Sequence, residues 1–109
     1  MRTLRFIVDG QIIRHDPNCD FSGLVPGSDG LIEAKFSFSP DWKNCIKVAA
    51  FFSPLGTEYP PQKLENDGTC IVPAEALDLR SFNVQVIGRT PKMKITTNKL
   101  TIKQNGGKT

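Results

Sequence analysis

The sequence has 109 residues, of which 39% are hydrophobic and 23% are charged. That length is typical of a single domain, and the composition excludes a chain that is disordered throughout. No segment approaches the roughly 18 consecutive apolar residues that cross a bilayer, and the N-terminus turns polar too soon for a signal peptide. We therefore expect one folded domain over residues 1–104, a flexible tail at 105–109 and no membrane insertion.

The charges are divided unevenly along the chain. All 11 acidic residues lie in residues 1–78 with 7 basic ones, a charge of −4, whereas residues 79–109 carry 7 basic residues and no acidic one, a charge of +7. Such asymmetry favours an anionic partner or head-to-tail association of copies. The alternative interpretation is a set of lysines that protect an exposed edge strand from aggregation.

Alternation of apolar and polar residues predicts β-strands in the first third of the chain. Arg2 to Val8 alternates and leads into Asp9-Gly10, a hairpin signal, so a second strand is expected over 11–14. Turn residues then predict a long loop over 15–30, and residues 31–38 form the clearest strand.

Residues 45–52 predict a strand of unusual character. Ile46, Val48 and two further apolar residues lie on one face, and Ala49 and Phe51 lie partly on the other. A strand that is apolar on both faces is typical of the centre of a sheet, or of a sheet whose outer face meets another surface.

The remaining segments are shorter. The pattern predicts, in chain order, a short strand at 62–65, a hairpin turn at 66–68, a strand at 69–72, one short helical turn near 73–78, a strand at 82–88, and a last strand at 95–103 that is interrupted near Thr97-Asn98. About seven or eight strands result, and each has one apolar face to bury. The fold class is therefore all-β, with an antiparallel β-sandwich expected and a small closed barrel as the alternative.

Motifs for catalysis or for cofactor binding are absent from the sequence. It has no phosphate-binding loop, no nucleophile elbow and no metalloprotease motif. The three cysteines lack metal or redox spacing, and their odd number fits a reducing compartment. The one histidine, His15, precedes a proline in a loop and is interpreted as a surface residue. We therefore expect a protein that is not an enzyme and has no cofactor or metal site.

Aromatic and basic residues provide the candidate contact sites. Trp42, Phe51 and Tyr59 lie in or beside predicted loops, where exposed rings suit a protein interface or sugar stacking, although Trp42 can instead cap the core. The charged candidates, which come from the acid-free part of the chain, are Lys92, Lys94 and Lys99.

Five segments, taken in order and spacing, are similar to a known family. They are FSFSPDW (36–42), IKVAAFF (46–52), NDGTCIVPAEAL (66–77), FNVQVIG (82–88) and TTNKLTI (96–102). Together they resemble the N-terminal immunoglobulin-like domain of upper-baseplate and related tail or fibre proteins from phages of Gram-positive bacteria. The resemblance covers residues 2–104.

The resemblance implies an immunoglobulin-like sandwich with a structural role. It implies a virion module for baseplate, tail or fibre attachment that acts through contacts with other virion proteins, forms a homo-oligomer and is assembled in the bacterial cytoplasm. Family members continue into helical or fibre segments beyond this domain. The alternatives are a capsid decoration or glycan-binding module, and a small phage accessory protein that binds nucleic acid or a host defence factor; among these partners nucleic acid is the least expected.

Overall fold

The computed structural model describes residues 1–27 and 32–104, and these residues form two stacked β-sheets. The strands are β1 Arg2–Asp9, β2 Ile12–His15, β3 Ile32–Phe38, β4 Ile46–Phe52, β5 Gln62–Lys63, β6 Thr69–Ile71, β7 Ser81–Arg89, β8 Lys94–Thr96 and β9 Leu100–Lys103. Two 3₁₀ turns, Pro40–Trp42 and Ala74–Asp78, complete the described structure. The predicted all-β sandwich with one short helical turn near 73–78 is confirmed, with more strands than expected.

The first sheet has the strand order β2-β1-β3-β6. β1 turns at Gly10, whose φ of 57° suits glycine, and pairs antiparallel with β2. On its other side β1 pairs parallel with β3, an arrangement that needs a crossover connection and that the alternation alone does not predict. The predicted strand start at Leu31 and the Asp29-Gly30 turn lie outside the described residues.

The second sheet has the strand order β5-β4-β7-β8, with β9 also paired to β7. The predicted interruption near Thr97-Asn98 separates β8 from β9. There Asn98 contacts the other sheet. Its side-chain Oδ1 accepts from the Ile13 backbone amide at 2.9 Å, and its own backbone amide donates to Gln11 O at 3.1 Å. These bonds satisfy backbone groups on the edge of β2 and close that side of the sandwich.

The core lies between the sheets and is rich in aromatic rings. Phe6 stacks on Phe36 with the ring centroids 5.0 Å apart, and Phe51 meets Phe82 at 6.0 Å. Among the residues described, no helix is long and apolar enough to cross a membrane. The predicted tail at 105–109 lies outside the described part of the chain.

Trp42 closes one end of this core. The 3₁₀ turn that follows β3 folds its indole back under the sheet, where Nε1 donates to Gly10 O at 2.8 Å. Gly88 of β7 leaves the space that the ring needs, because a Cβ at that position would lie 2.8 Å from the indole carbons. Trp42 is fully buried as a result.

Candidate interaction face

The two sides of β4 face different environments, and the strand register identifies them. Ala49 lies opposite Val86 and Phe51 lies opposite Val84, and all four are core residues. Directly opposed residues of an antiparallel ladder point to the same side. Ile46 and the residues at 48, 50 and 52 therefore point away from the core, along the outer face of the second sheet.

Part of this outer face is open to solvent, and we call it the open half. Its members occupy two neighbouring rows of the sheet and are Ile46, Arg89 and Lys94 in the first row and Lys63, Val48, Ile87 and Thr96 in the second. Ile46 is 62% exposed. With Val48, Ile87 and Arg89 it lines a shallow cleft of about 260 Å³.

The rest of the outer row of β4 is covered by the chain itself. Ala50 and Phe52 are buried although they point away from the core. The ammonium of Lys99 lies 3.9 Å from the centroid of the Phe52 ring, a cation–π distance, and Glu58 pairs with Phe52 from the neighbouring segment. Exposure of apolar side chains on this face is thus confined to the open half.

The charged members of the open half are all cations. Lys63 lies opposite Val48, and Arg89 lies directly opposite Lys94, so that two cations face each other across neighbouring strands. Glu65 follows Lys63 on the same exposed side of the chain, because the Leu64 amide donates to Lys47 O at 2.9 Å and this register places Glu65 beside Ile46. Ile46, Lys63 and Glu65 line a neighbouring cleft together. The open half therefore presents an aliphatic centre with three cations, and Glu65 brings a carboxylate to its β5 edge, two strands from Arg89 and three from Lys94.

Two of the predicted contact residues are core residues. Trp42 and Phe51 are both 0% exposed, which corrects their interpretation as contacts to a partner. Phe51 points inward because its side of β4 is the one that meets Val84, and Trp42 is folded under Gly88 by the turn after β3. The alternative interpretation of Trp42, as a cap on the core, agrees with its burial.

The other predicted residues lie at the surface in different settings. Tyr59 is half-buried against the core and donates its amide to Phe51 O at 2.8 Å. Lys94 belongs to the open half, Lys92 lies in the turn before β8, and Lys99 covers Phe52. The rows of Lys94 and Phe52 are about 20 Å apart along β7, so the three lysines do not form one cluster.

Six members of the open half were not among the predicted site residues: Ile46, Val48, Lys63, Ile87, Arg89 and Thr96. The signal for them is the second apolar side of residues 45–52, which indicates a sheet surface that meets something else. Arg89 lies just beyond the predicted strand at 82–88, but it is the last residue of β7 and pairs with Lys94.

Cys70 and His15, which lie away from the open half, are packed against other side chains. Burial, with a smaller contribution from Glu33, raises the pKa of the Cys70 thiol to about 12, which disfavours the reactive thiolate. His15 is half-buried and is the last residue of β2, not a loop residue as predicted; its ring centroid lies 4.5 Å from that of Phe21, and burial lowers its pKa. Within residues 1–27 and 32–104, no group of three or more His, Cys, Asp or Glu residues is placed to hold a metal ion.

Comparison of this chain with protein-family models, with curated protein sequences and with solved structures finds no match.

Proposed function

We propose that this chain is a non-enzymatic structural or adaptor module of a phage particle, and that it holds another protein through the open half. The observation that carries the proposal is the exposed aliphatic centre of that face, where Ile46 is 62% exposed beside Val48 and Ile87. An apolar centre within a polar rim is the usual anatomy of a protein interface. The phage context comes from the sequence resemblance described above.

The chemistry of the open half favours a protein over nucleic acid or sugar. Modules that bind single strands stack the bases on exposed aromatic rings, and sugar sites also use such rings. The aromatic residue on this face is Phe52, which lies under Lys99, and Trp42 is fully buried. The open half offers aliphatic side chains instead, which suit apolar side chains of a partner.

An anionic partner of another class remains the second candidate, because the cations of the open half favour it. Nucleic acid binding would weaken steeply and linearly with the logarithm of salt concentration, and it would be indifferent to the aliphatic centre. A protein contact through Ile46 and Val48 would keep a salt-resistant apolar contribution. Salt dependence of the wild type and of an Ile46 variant therefore separates the two.

The predicted homo-oligomer is a separate proposal. A two-fold dimer sets the same patch against its own copy, and because this face carries Glu65 at one edge and Lys94 at the other, its charges do not decide whether copies pair through it. Light scattering after size-exclusion chromatography, at low and high salt, measures the oligomeric state directly.

The proposed function is tested in purified phage particles that assemble in cells producing the chain. We expect mass spectrometry of purified particles to detect the wild type, and we expect Ile46→Glu to fold but to be lost from the particles. Ile12→Glu is the matched control, because Ile12 is an isoleucine of the first sheet that is 57% exposed. Absence of the wild type from particles, or normal incorporation of Ile46→Glu, would overturn the proposal.

A further inference from the structure

We infer that the open half binds an extended acidic segment of a partner protein, with one carboxylate between Arg89 and Lys94 and an aliphatic side chain on Val48 and Ile87. This inference rests on the proposed function and names the chemistry of the partner. The inference goes beyond the proposed function by assigning a role to each row of the open half.

Two cations face each other in the first row of the open half. Arg89 and Lys94 lie directly opposite each other at the end of the β7–β8 ladder, and directly opposed like charges destabilise a sheet. A carboxylate placed between them removes that repulsion and accepts charge-assisted hydrogen bonds from both side chains. The planar guanidinium of Arg89 suits a carboxylate in particular, since it can donate two parallel N–H bonds.

An aliphatic centre lies beside this pair of cations. Ile46 lies opposite Arg89, and the cleft continues over Val48 and Ile87 in the next row. An aliphatic side chain of the partner would fill this cleft and remove both surfaces from water. Poly-anions without an apolar group would contact the cations but leave the cleft empty.

Lys63 is the third cation of the open half. It lies on β5, across β4 and β7 from β8 and one row further along, so three strand spacings and one row separate it from Lys94, about 16 Å in all. An extended chain rises about 3.3 Å per residue, so that residues i and i+4 lie about 13 Å apart on the same side. A segment with acidic, aliphatic and acidic residues at i, i+2 and i+4 therefore reaches Lys94, the cleft and Lys63 in turn, because the flexible lysine side chains cover the remaining distance of about 3 Å.

The first test needs no partner. Lys94→Glu replaces the repulsion with an attraction to Arg89, and we expect the melting temperature to rise by about 1–5 °C. The matched control is Lys103→Glu, because Lys103 lies opposite the uncharged Ser81 on the same sheet. An unchanged or lower melting temperature for Lys94→Glu, or an equal rise in the control, would overturn the assignment of Arg89 and Lys94 as an uncompensated pair.

The second test measures binding of a defined probe, the capped peptide acetyl-Glu-Ser-Leu-Ser-Glu-amide, by NMR titration of the full chain. We expect the methyl signals of Val48 and Ile87 to shift, with a dissociation constant below about 1 mM. We expect Lys94→Glu to weaken this binding at least about tenfold, although the variant is the more stable protein.

Three further probes decide between the possible partners. A peptide with both glutamates replaced by glutamine, and one with leucine replaced by serine, are each expected to bind more weakly than the parent. Equal binding of either peptide, or a preference for a thymidine oligonucleotide, would overturn the inference. Failure of these titrations while Ile46→Glu is still lost from particles would leave the proposed function standing and reject only the acidic segment.

Discussion

The outer faces of the two sheets each set a pair of cations side by side, but only the first sheet supplies carboxylates next to them. On the first sheet Arg5 lies beside Lys35, and Glu33 precedes Lys35 on the same face, where it accepts from the Thr3 hydroxyl at 3.2 Å. Asp67 also lies near, and its pKa is lowered chiefly by the Thr69 hydroxyl, with Lys35 contributing. On the second sheet the strand residues around Arg89 and Lys94 include no such partner.

The difference indicates which of the two faces is complete in the isolated chain. Cations that have carboxylates beside them, as Lys35 has, are typical of an ordinary solvated surface. Arg89 and Lys94 lie beside exposed aliphatic side chains with no carboxylate next to them, and they are the complement of an acidic, partly apolar surface. The second sheet is therefore the one whose outer face a partner would complete.

The two sides of β4 should differ most. Phe51→Ala removes a fully buried ring and is expected to cost about 3–5 kcal/mol of unfolding free energy. Val48→Ala, on the outer side of the same strand, should cost less than about 1 kcal/mol. Urea unfolding of both variants measures the contrast, and similar losses would mean that the outer row of β4 serves folding as much as the core does.

Gly88 and Arg89 give the same contrast on β7. A methyl group at Gly88 would collide with the Trp42 ring, so Gly88→Ala should destabilise by about 1–3 kcal/mol. Arg89→Ala should change stability by about 0.5 kcal/mol or less, because the side chain points outward to solvent. Thermal unfolding checks both, and an Arg89 variant as damaging as the Gly88 one would give the arginine a structural role.

The first sheet can be made to resemble the second by charge reversal. Glu33→Lys removes the carboxylate beside Lys35 and adds a cation, so the free energy of unfolding should fall by roughly 0.5–1 kcal/mol. The loss should shrink at high salt, because exposed charges are screened. Melting curves at low and high salt measure this; a stability gain would mean that the carboxylates of the first sheet do not neutralise its cations.

The smallest expected effect is a difference in pH response. Burial lowers the pKa of His15 from 6.5, so the folded state favours the neutral ring. The associated stability is present above pH 6.5 and is lost as the pH falls through the lower folded pKa. Wild type should therefore lose more stability than His15→Gln between about pH 7.5 and about pH 5.5. Equal losses in urea titrations would remove His15 as the cause.

Local pattern was sufficient for most strands and for one aspect of the candidate site. The alternation predicted β1, β7 and the break at Thr97-Asn98, because turn chemistry and side-chain period are properties of neighbouring residues. Residues 45–52 are apolar on both faces of the strand, and this likewise indicated an outer face that meets another surface. Which side of β4 is buried could not be predicted, because both sides are apolar and the choice depends on which residues of β7 lie opposite.

The features that the sequence did not predict depend on pairing between residues that are far apart in the chain. The parallel contact of β1 with β3 and the meeting of Arg89 with Lys94 depend on register, which the local sequence does not encode. Trp42 was placed among the contacts because it follows a proline in a connection, where rings are often exposed. Its burial depends on the absence of a side chain at Gly88, 46 residues later in the sequence.

The bond between Asn98 and β2 has a consequence for the order of events during folding. The first hairpin forms from residues that are made early, yet the groups that cap its outer edge come from a residue 85 positions later. Until that residue arrives, the backbone of Gln11 and Ile13 is an unprotected strand edge that can pair with another nascent chain. Asn98→Ala should therefore raise aggregation during refolding more than it lowers the stability of the folded protein. Asn98 would then act mainly by limiting aggregation while the chain folds.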